Sequence, residues 1–351
     1  MLLLAIMALL AVSTAVWRSS ASRIARPAVP VAGTGPFDPA READAIQSAL
    51  LSGRFEPLPK RARNYRIGVI MKFLGNHYWQ LLAAGMQSRA DELGVRLDIR
   101  APSTESDTSG QLELFEGMLY RNYDAYLVSP QTDLNLRSAL LQARSRGQMV
   151  LNVNDAVLYE AEHWIGPNQY ENGVRVAQHL KAIMPEGGEV AVIMGLAGSY
   201  AVINRTAGFV DTLEGSPFTV VAKEGADWDL HRALQVSSGI LDRYPRLRAF
   251  YCNNDIMAFG VVEAVKRRNK LGKVLVFGTD GIPAAYDSIR RGELAGTVDS
   301  FPQETGRIAM EVAVRLLEGQ KLPRVIFSPQ ALITRETLNR ADALPRGNEA
   351  R

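Results

Sequence analysis

Polar and aromatic side chains recur directly after short apolar runs in this sequence. The run that ends at Cys252 is followed by Asn254 and Asp255, and another run ends at Asp280. The residues of this kind are Asn76, Tyr78, Trp79, Asn154, Asp155, Asn204, Trp228, Asn254, Asp280 and Ser300. Flat rings pack on the C–H faces of a sugar, while amides and carboxylates bind its hydroxyls as donors and acceptors. The set suits a neutral polyol, and it also suits a cation held in an aromatic cage.

The elements that position these residues follow from the hydrophobic pattern. From Tyr65 onward, apolar runs of strand length alternate with amphipathic stretches of helix length. Strands that are apolar on both faces and separated by helices form parallel sheets covered on both sides. Roughly eleven such strands are too many for one ordinary sheet, so we predict an α/β fold with two doubly wound parallel-sheet lobes. Ligands of such sheets bind beyond the carboxyl ends of the strands, where the polar and aromatic residues fall.

Each of these residues also has a purely structural interpretation. Asp255 directly precedes a helix and is predicted to be its N-cap, which makes Asn254 the better candidate for a ligand contact. Asp280 fits a tight turn. Tyr78 and Trp79 fit core positions as well as the wall of a cleft. The coincidence of all of them at one edge of two sheets favours a binding site.

The composition excludes several classes of function. The net charge is only +3 and the basic residues are scattered, so we expect no nucleic-acid partner. The single cysteine, Cys252, excludes an intramolecular disulfide and a cysteine-based metal site, and the four histidines lack zinc spacing. No nucleophile with an adjacent base and no ATP-binding loop is evident. We therefore expect a protein without catalytic residues, metal or cofactor.

The first part of the chain indicates export. Residues 1–17 form an apolar run that is short for a membrane span and long enough for the apolar region of a signal peptide. Residues 1–23 are thus either a signal peptide or a retained N-terminal membrane anchor. Residues 24–64 are predicted to be a tether with a short amphipathic helix, which packs on the domain or docks a partner. Either alternative places the chain from residue 65 onward in the periplasm.

Over residues 65–337 the chain resembles the type I periplasmic solute-binding proteins for monosaccharides, the ribose- and galactose-binding family. Two signatures at the family's spacing support the likeness: "NNDIMAFG" at 253–260 and "VFGTDGIP" at 276–283. "HYWQLLAAGMQSRADELG" is similar to the segment that supplies two adjacent rings from the first lobe, and "GADWD" to the segment that supplies a ring from the second. The resemblance implies a sugar enclosed between two lobes.

The resemblance also implies roles for individual residues. Tyr78 and Trp79 would contact one face of the sugar, and Trp228 would contact the other. Asn254 and Asp280 would bind its hydroxyls.

The chain departs from the family pattern at three places. The family's Asp–Arg pair is Asn154–Asp155 in this sequence. The usual ligand arginine falls at Ile203, with Asn204 and Arg205 beside it, and Ser300 stands where a hinge glutamine is expected. Because these changes remove hydrogen-bond donors for ordinary ribose or glucose, they favour a deoxy sugar, a polyol or a small cationic solute.

The resemblance implies two lobes joined by a three-segment hinge, with crossovers near residues 166–168, 300–302 and 328. Ligand binding would close the lobes by a hinge motion, and a membrane partner would recognise the closed state. The first lobe, the second lobe and the tail are expected to be residues 65–166 with 301–327, residues 167–300 with 328–337, and residues 338–351.

The function implied is extracytoplasmic capture of a small sugar or polyol and its delivery to the permease of an ABC transporter. The alternative within this class is a ligand-sensing partner of a sensor kinase or chemoreceptor, with a cationic solute among its candidate ligands. Sugar-responsive transcriptional repressors share the two-lobe core, but they place a helix-turn-helix module where this chain has an apolar export segment. A sugar lyase or hydrolase is the third class, and it lacks an evident nucleophile.

Overall fold

The computed structural model describes residues 37–342, and within this range thirteen strands form two separate sheets. The first sheet is entirely parallel. Its strands are β1 (Ile46–Gln47), β2 (Arg66–Ile70), β3 (Arg96–Arg100), β4 (Ala125–Val128), β5 (Met149–Val153), β6 (His163–Gly166) and β12 (Val325–Phe327). They lie in the order β1-β12-β6-β5-β4-β2-β3.

The second sheet has six strands. These are β7 (Gly188–Met194), β8 (Phe218–Gly225), β9 (Leu247–Cys252), β10 (Leu275–Asp280), β11 (Gly296–Asp299) and β13 (Ala331–Thr334). They lie in the order β13-β11-β10-β9-β7-β8, and only β13 is antiparallel to its neighbour β11. The β4 strand of the first sheet and the β11 strand of this sheet are buried along their whole length, as strands covered on both faces must be.

Helices cover both sheets. Those of the first sheet are α1 (Leu51–Arg54), α2 (His77–Leu93), α3 (Thr108–Met118), α4 (Arg137–Ser145) and α10 (Pro302–Leu317). Those of the second are α5 (Gln169–Ile183), α6 (Tyr200–Leu213), α7 (Leu230–Arg243), α8 (Asp255–Arg267), α9 (Pro283–Arg290) and α11 (Arg335–Asp342). We call each sheet with its helices a lobe, the first and the second. The predicted α/β fold with two doubly wound lobes is confirmed.

The chain passes between the lobes three times: from β6 to α5, from β11 to α10, and from β12 to β13. Asn168 caps α5 at the first passage, and its Oδ1 accepts from the backbone N–H of Tyr170 at 3.1 Å. At the second passage Phe301 adopts φ 43°, and Pro302 begins α10. These three segments form the hinge.

Helix α2, which bears two of the candidate rings, packs closely against α10. A Cβ atom on Gly85 would lie 1.9 Å from the carbonyl oxygen of Gln303, and one on Gly306 would lie 2.1 Å from that of Leu82. Only glycine allows this approach of the two backbones. The contact fixes the start of α2 at the carboxyl ends of the strands.

The segment before residue 65 differs from the expected helical appendage. Between residues 38 and 54 it forms two 3-10 turns, the strand β1 and the four-residue helix α1. β1 pairs in parallel with β12, with Ile46 opposite Ile326, and Ile46 and Leu51 are buried. This segment therefore extends the first sheet at its edge, because a distant strand supplies the partner that a local helical pattern does not reveal.

No helix within residues 37–342 is long and apolar enough to cross a membrane. The apolar residues 1–17, on which the signal peptide or anchor was predicted, lie outside the described residues. So do residues 343–351 of the predicted tail.

Candidate functional site

A small polar cavity lies between the lobes at the carboxyl ends of both sheets, and we call it the cleft. Six of its residues come from the first lobe and four from the second: Lys72, Asn76, Tyr78, Trp79, Glu105 and Asp155, with Arg205, Trp228, Asn254 and Asp280. The volume is only about 20 Å³, enough for roughly one water molecule. A ligand of any larger size can enter only if the lobes separate or the side chains move.

Three aromatic side chains form walls of the cleft. Tyr78 and Trp79 belong to the first turn of α2, whose N-cap is Asn76, and both are 3% exposed. Their rings meet edge to face, with centroids 5.1 Å apart. Trp228 comes from the turn between β8 and α7 and has φ 67°, so the turn holds it in a left-handed conformation that is uncommon for tryptophan. Rings from both lobes thus face the same space.

The ammonium group of Lys72 occupies the space between two of these rings. Its Nζ lies 5.6 Å from the ring centroid of Trp79 and 5.4 Å from that of Trp228. The same atom is 2.6 Å from Asp155 Oδ2 and 3.4 Å from Glu105 Oε1. Burial lowers the pKa of Lys72, but the two carboxylates outweigh burial and raise it. The aromatic cage therefore already holds a cation that belongs to the protein.

Arg205 is the cation of the second lobe in the cleft. Its Nη1 lies 3.4 Å from Asp280 Oδ1, and its Nη2 lies 4.0 Å from Asp155 Oδ1 across the cleft. Its Nε donates to Gln169 Oε1 at 2.7 Å, and its Nη1 also donates to the carbonyl of Asn253. Burial lowers the pKa of Arg205, whereas Asp280 and Asp155 raise it above its usual value. Arg205 thus joins the two lobes electrostatically.

The carboxyl groups of the cleft differ in their tendency to ionise. Burial raises the pKa of Asp155, but Lys72 and then Arg205 outweigh it, and the pKa is lowered. Burial raises the pKa of Asp280 well above its usual value, because Arg205 offsets the cost only partly and Asp255 raises the pKa further. Asp155 is therefore an acceptor only, whereas a protonated Asp280 can also donate a hydrogen bond.

The prediction that Asp255 caps the helix is wrong, whereas Asn254 lines the cleft. Asn254 is the N-cap of α8, and its Oδ1 accepts from the backbone N–H of Met257 at 2.8 Å while the residue also lines the cleft. Asp255 instead accepts from the backbone N–H of Gly281 at 2.9 Å and from Thr297 Oγ1 at 2.6 Å. Both residue types cap helices well, and the tertiary partners of Asp255 decide which of the two does so.

Two other candidates lie outside the cleft lining. Asn154 is buried behind Tyr78, and its Nδ2 donates to the Tyr78 hydroxyl. Ser300 is buried in the hinge between β11 and α10, and its Oγ has no hydrogen-bond partner among the described residues. Neither side chain lines the cavity: Asn154 lies behind Tyr78, and Ser300 lies in the hinge.

The assignment on α6 needs a correction of two residues. Ile203, at the expected position of the ligand arginine, is 56% exposed. Asn204 is half-buried, and its Nδ2 donates to the carbonyl of Tyr200 at 3.0 Å instead of lining the cleft. Arg205 lines the cleft, because two residues along a helix turn the side chain by about 200°. An arginine beside the expected position therefore lines the cleft.

Three lining residues were not selected from the sequence: Lys72, Glu105 and Arg205. Lys72 lies two residues after the last residue of the strand β2, and a lysine near a strand's carboxyl end is a local signal for a ligand-binding position. Glu105 lies in a loop without any such signal. Each enters the cleft through an ion pair with a residue distant in sequence.

The protein has two α/β lobes joined by a three-segment hinge, and the cleft between them is lined by rings, carboxylates and cations. This arrangement defines a two-lobed solute-binding protein. The sequence profile of the periplasmic binding protein domain family matches residues 67–321, and the chain belongs to this family. The predicted family is thereby confirmed.

Relatives are similar over most of the chain. The D-allose-binding periplasmic protein of Escherichia coli (strain K12) is 33% identical over 268 residues, which cover 74% of this chain and 85% of that protein. The ribose import binding protein RbsB of Bacillus subtilis (strain 168) is 28% identical over 276 residues, covering 78% and 88%. A solved ABC transporter periplasmic solute binding protein from Actinobacillus succinogenes 130z, with bound D-allose, has a TM-score of 0.75 at 26% identity, covering 79% of this chain and 100% of that one. These relatives are binding proteins, so the expectation of a non-enzyme is confirmed.

Proposed function

We propose that this protein captures a small sugar in the cleft, outside the cytoplasm, and delivers it to the permease of an ABC transporter. The observation that supports this most directly is the placement of Trp79 and Trp228 from opposite lobes around one small polar space. Rings on two sides suit the two C–H faces of a pyranose or furanose. The charged groups around them suit its hydroxyls.

The polar groups of the cleft favour a neutral polyhydroxylated ligand. Lys72 and Arg205 can only donate hydrogen bonds, while Asp155 and Glu105 accept them when ionised. A hydroxyl group both donates and accepts, so it can be bound by either kind of residue. Because Arg205 supplies the donor that seemed absent at position 203, ordinary aldoses are candidates again. The relatives named for D-allose and ribose make these two sugars the first probes.

The geometry disfavours a cationic solute. Any ligand between the two tryptophan rings, a sugar included, must displace the Lys72 Nζ, so what disfavours a cation is the charge of its ammonium group. It would then lie beside both Lys72 and Arg205, where like charges repel in a site with little solvent screening. A sensor for such a solute is therefore the less favoured alternative.

Export of the chain accords with this function. The apolar residues 1–17 followed by a Pro- and Ser-rich stretch suit a signal peptide or an anchor that leaves the lobes in the periplasm. The membrane partner would be a permease that binds the closed lobes, since ligand-driven closure is the change a partner can recognise.

A thermal-shift screen of the full chain tests the proposal. The probes are D-allose, D-ribose, deoxy sugars, polyols and quaternary amines, each at saturating concentration. A cleft ligand present at 100 times its Kd stabilises the folded state by about 2.7 kcal/mol. We expect a rise in Tm with at least one sugar. A rise with quaternary amines alone, or with none of the compounds, would contradict the proposal.

Matched variants show whether such a shift arises in the cleft. Asp280→Ala should abolish the shift, because Asp280 lines the cavity. Asp287→Ala serves as the control, since this carboxylate lies on α9 of the same lobe with its side chain 61% exposed. The control should keep the full shift.

A further inference from the structure

A chain of four amide side chains, three of them buried and one half-buried, runs through the hinge and ends at the hydroxyl of Tyr78. In order, its members are Gln330, Asn172, Gln169 and Asn154. Gln169, Asn172 and Asn154 are fully buried, so no bulk water competes for their hydrogen bonds. We call this chain the amide relay. Each amide has one accepting and one donating end, so the orientation of one member fixes that of the next.

The first fixed point of the relay is Arg205. Its Nε can only donate, and it donates to the side chain of Gln169 at 2.7 Å. The atom that receives this bond must be the carbonyl oxygen Oε1. The amide nitrogen Nε2 of Gln169 then points the other way and donates to Asn154 Oδ1 at 2.8 Å.

A second fixed point at the other end of the relay gives the same orientation. The backbone N–H of Asn168 donates to Gln330 Oε1 at 2.8 Å, so Gln330 Nε2 is the donor to Asn172 Oδ1 at 2.7 Å. The Nδ2 of Asn172 must then donate to Gln169 Oε1, at 3.1 Å. Two obligate donors thus agree that Gln169 Oε1 is an acceptor.

The relay fixes the last hydrogen bond as well. Because Asn154 Oδ1 accepts from Gln169, its Nδ2 must donate, and it donates to the hydroxyl oxygen of Tyr78. The bond uses a lone pair of that oxygen and leaves the phenolic hydrogen free to point into the cleft. Burial, and next Asp280, raise the pKa of Tyr78 well above its usual value, so the hydrogen is retained at neutral pH.

We propose that Asn154 and Gln169 are positioning residues that fix Tyr78 as a hydrogen-bond donor, so that the cleft selects ligands with an acceptor oxygen at that point. The inference rests on the proposed function for the identity of the ligand. Asn154 belongs to the first lobe and Gln169 to the second, so the relay joins the two lobes beside the hinge.

The variant Asn154→Asp reverses the last bond when the new carboxyl group, which lies at a fully buried position, is ionised. An ionised carboxylate still accepts from Gln169, but its second oxygen can only accept, so the Tyr78 hydroxyl must turn and donate to it. Aspartate has the same size as asparagine and tolerates the φ of 43° found here. The variant therefore withdraws the donor from the cleft without removing the tyrosine ring.

The measurement is isothermal titration calorimetry of the full chain with D-allose and D-ribose. We expect Asn154→Asp and Tyr78→Phe each to weaken the Kd about tenfold, which is what loss of one hydrogen bond gives. The double variant should bind within about twofold of the weaker single variant, because both changes remove the same donor. Wild-type affinity in Asn154→Asp, or losses that multiply in the double variant, would overturn the proposal.

A second variant keeps the test decisive if Asn154→Asp does not fold. Gln169→Glu still accepts from Arg205 but cannot donate to Asn154, so the Asn154 amide turns over and the Tyr78 hydroxyl again points away from the cleft. The same tenfold loss is expected, and it should disappear in a Tyr78→Phe background. A loss of equal size in that background would mean that Gln169 acts only by holding Arg205, which overturns the proposal.

Neutron diffraction of the ligand-free, deuterated protein separates this inference from the proposed function. Deuterium on Asn154 Nδ2 directed at the Tyr78 oxygen supports the relay even if neither sugar binds. Deuterium on the Tyr78 oxygen directed at Asn154 refutes the relay even if both sugars bind.

Discussion

Replacement of Lys72 by methionine tests the buried ion pair between Lys72 and Asp155 in the absence of any ligand. Lys72 and Asp155 are 4% and 8% exposed in their side chains, and their charged atoms are 2.6 Å apart. Methionine keeps most of the side-chain volume and removes the charge. The change leaves Asp155 buried with only the more distant Arg205 Nη2, at 4.0 Å. Loss of one partner from a buried pair costs about 3–5 kcal/mol, and Arg205 compensates part of it. We therefore expect the free energy of unfolding to fall by about 2–4 kcal/mol.

Urea unfolding of the ligand-free protein, followed by tryptophan fluorescence, measures this change. The matched control is the double variant Lys72→Met with Asp155→Asn, which removes both charges. It should be at least about 2 kcal/mol more stable than the sum of the two single effects predicts. A loss below about 1 kcal/mol for Lys72→Met, or strictly additive losses, would refute the view that this buried pair organises the cleft.

Two further variants test other parts of the account. Tyr200→Phe removes the hydrogen bond that the Tyr200 hydroxyl donates to Asp38 Oδ1 at 2.9 Å. The free energy of unfolding, measured in urea, should fall by about 1 kcal/mol. An unchanged free energy would show that this bond does not stabilise the protein. Asp255→Asn should change the pH dependence of stability, because burial raises the pKa of Asp255 from 3.8 to about 7. A carboxyl group whose pKa is raised in the folded state stabilises the protein fully below its unfolded-state pKa, and this stability is lost as the pH rises through its folded-state pKa. The wild type should therefore lose stability relative to the variant between these two pKa values. Parallel pH profiles of the two proteins would contradict the prediction.

The two-lobe fold could be predicted because local sequence patterns, such as apolar runs and helix caps, indicate most of its strands and helices. The run Ala125–Val128 is apolar at every position, as a strand covered on both faces requires. Gly94 ends α2 with φ 60°, a left-handed cap that glycine allows. In contrast, β1 has two residues and exists because β12 offers it a partner. Pairing over such a distance leaves no periodic signal.

The site could be predicted only in part, because ion pairs and caps depend on tertiary partners. Lysine is rarely buried, so the place of Lys72 near the end of a strand does not by itself reveal that its side chain turns inward to Asp155. Asn254 and Asp255 are both good helix caps, and the choice between them depends on Thr297 and on backbone N–H groups beyond β10. The position of Arg205 follows from the phase of α6, which decides which side chains of this helix point toward the cleft.

The measurement that tests the central claim most directly is calorimetric titration of a sugar from the screen into the wild type and into Asp280→Ala. Asp280→Ala removes an ion pair with Arg205, and truncation of Asn254 removes the N-cap of α8 and about 1 kcal/mol of stability, so the fold of the variant is checked by circular dichroism before the titration. We expect one-to-one binding by the wild type and a loss of binding in a folded Asp280→Ala variant. Retained affinity in Asp280→Ala would contradict the claim that the cleft is where the sugar binds.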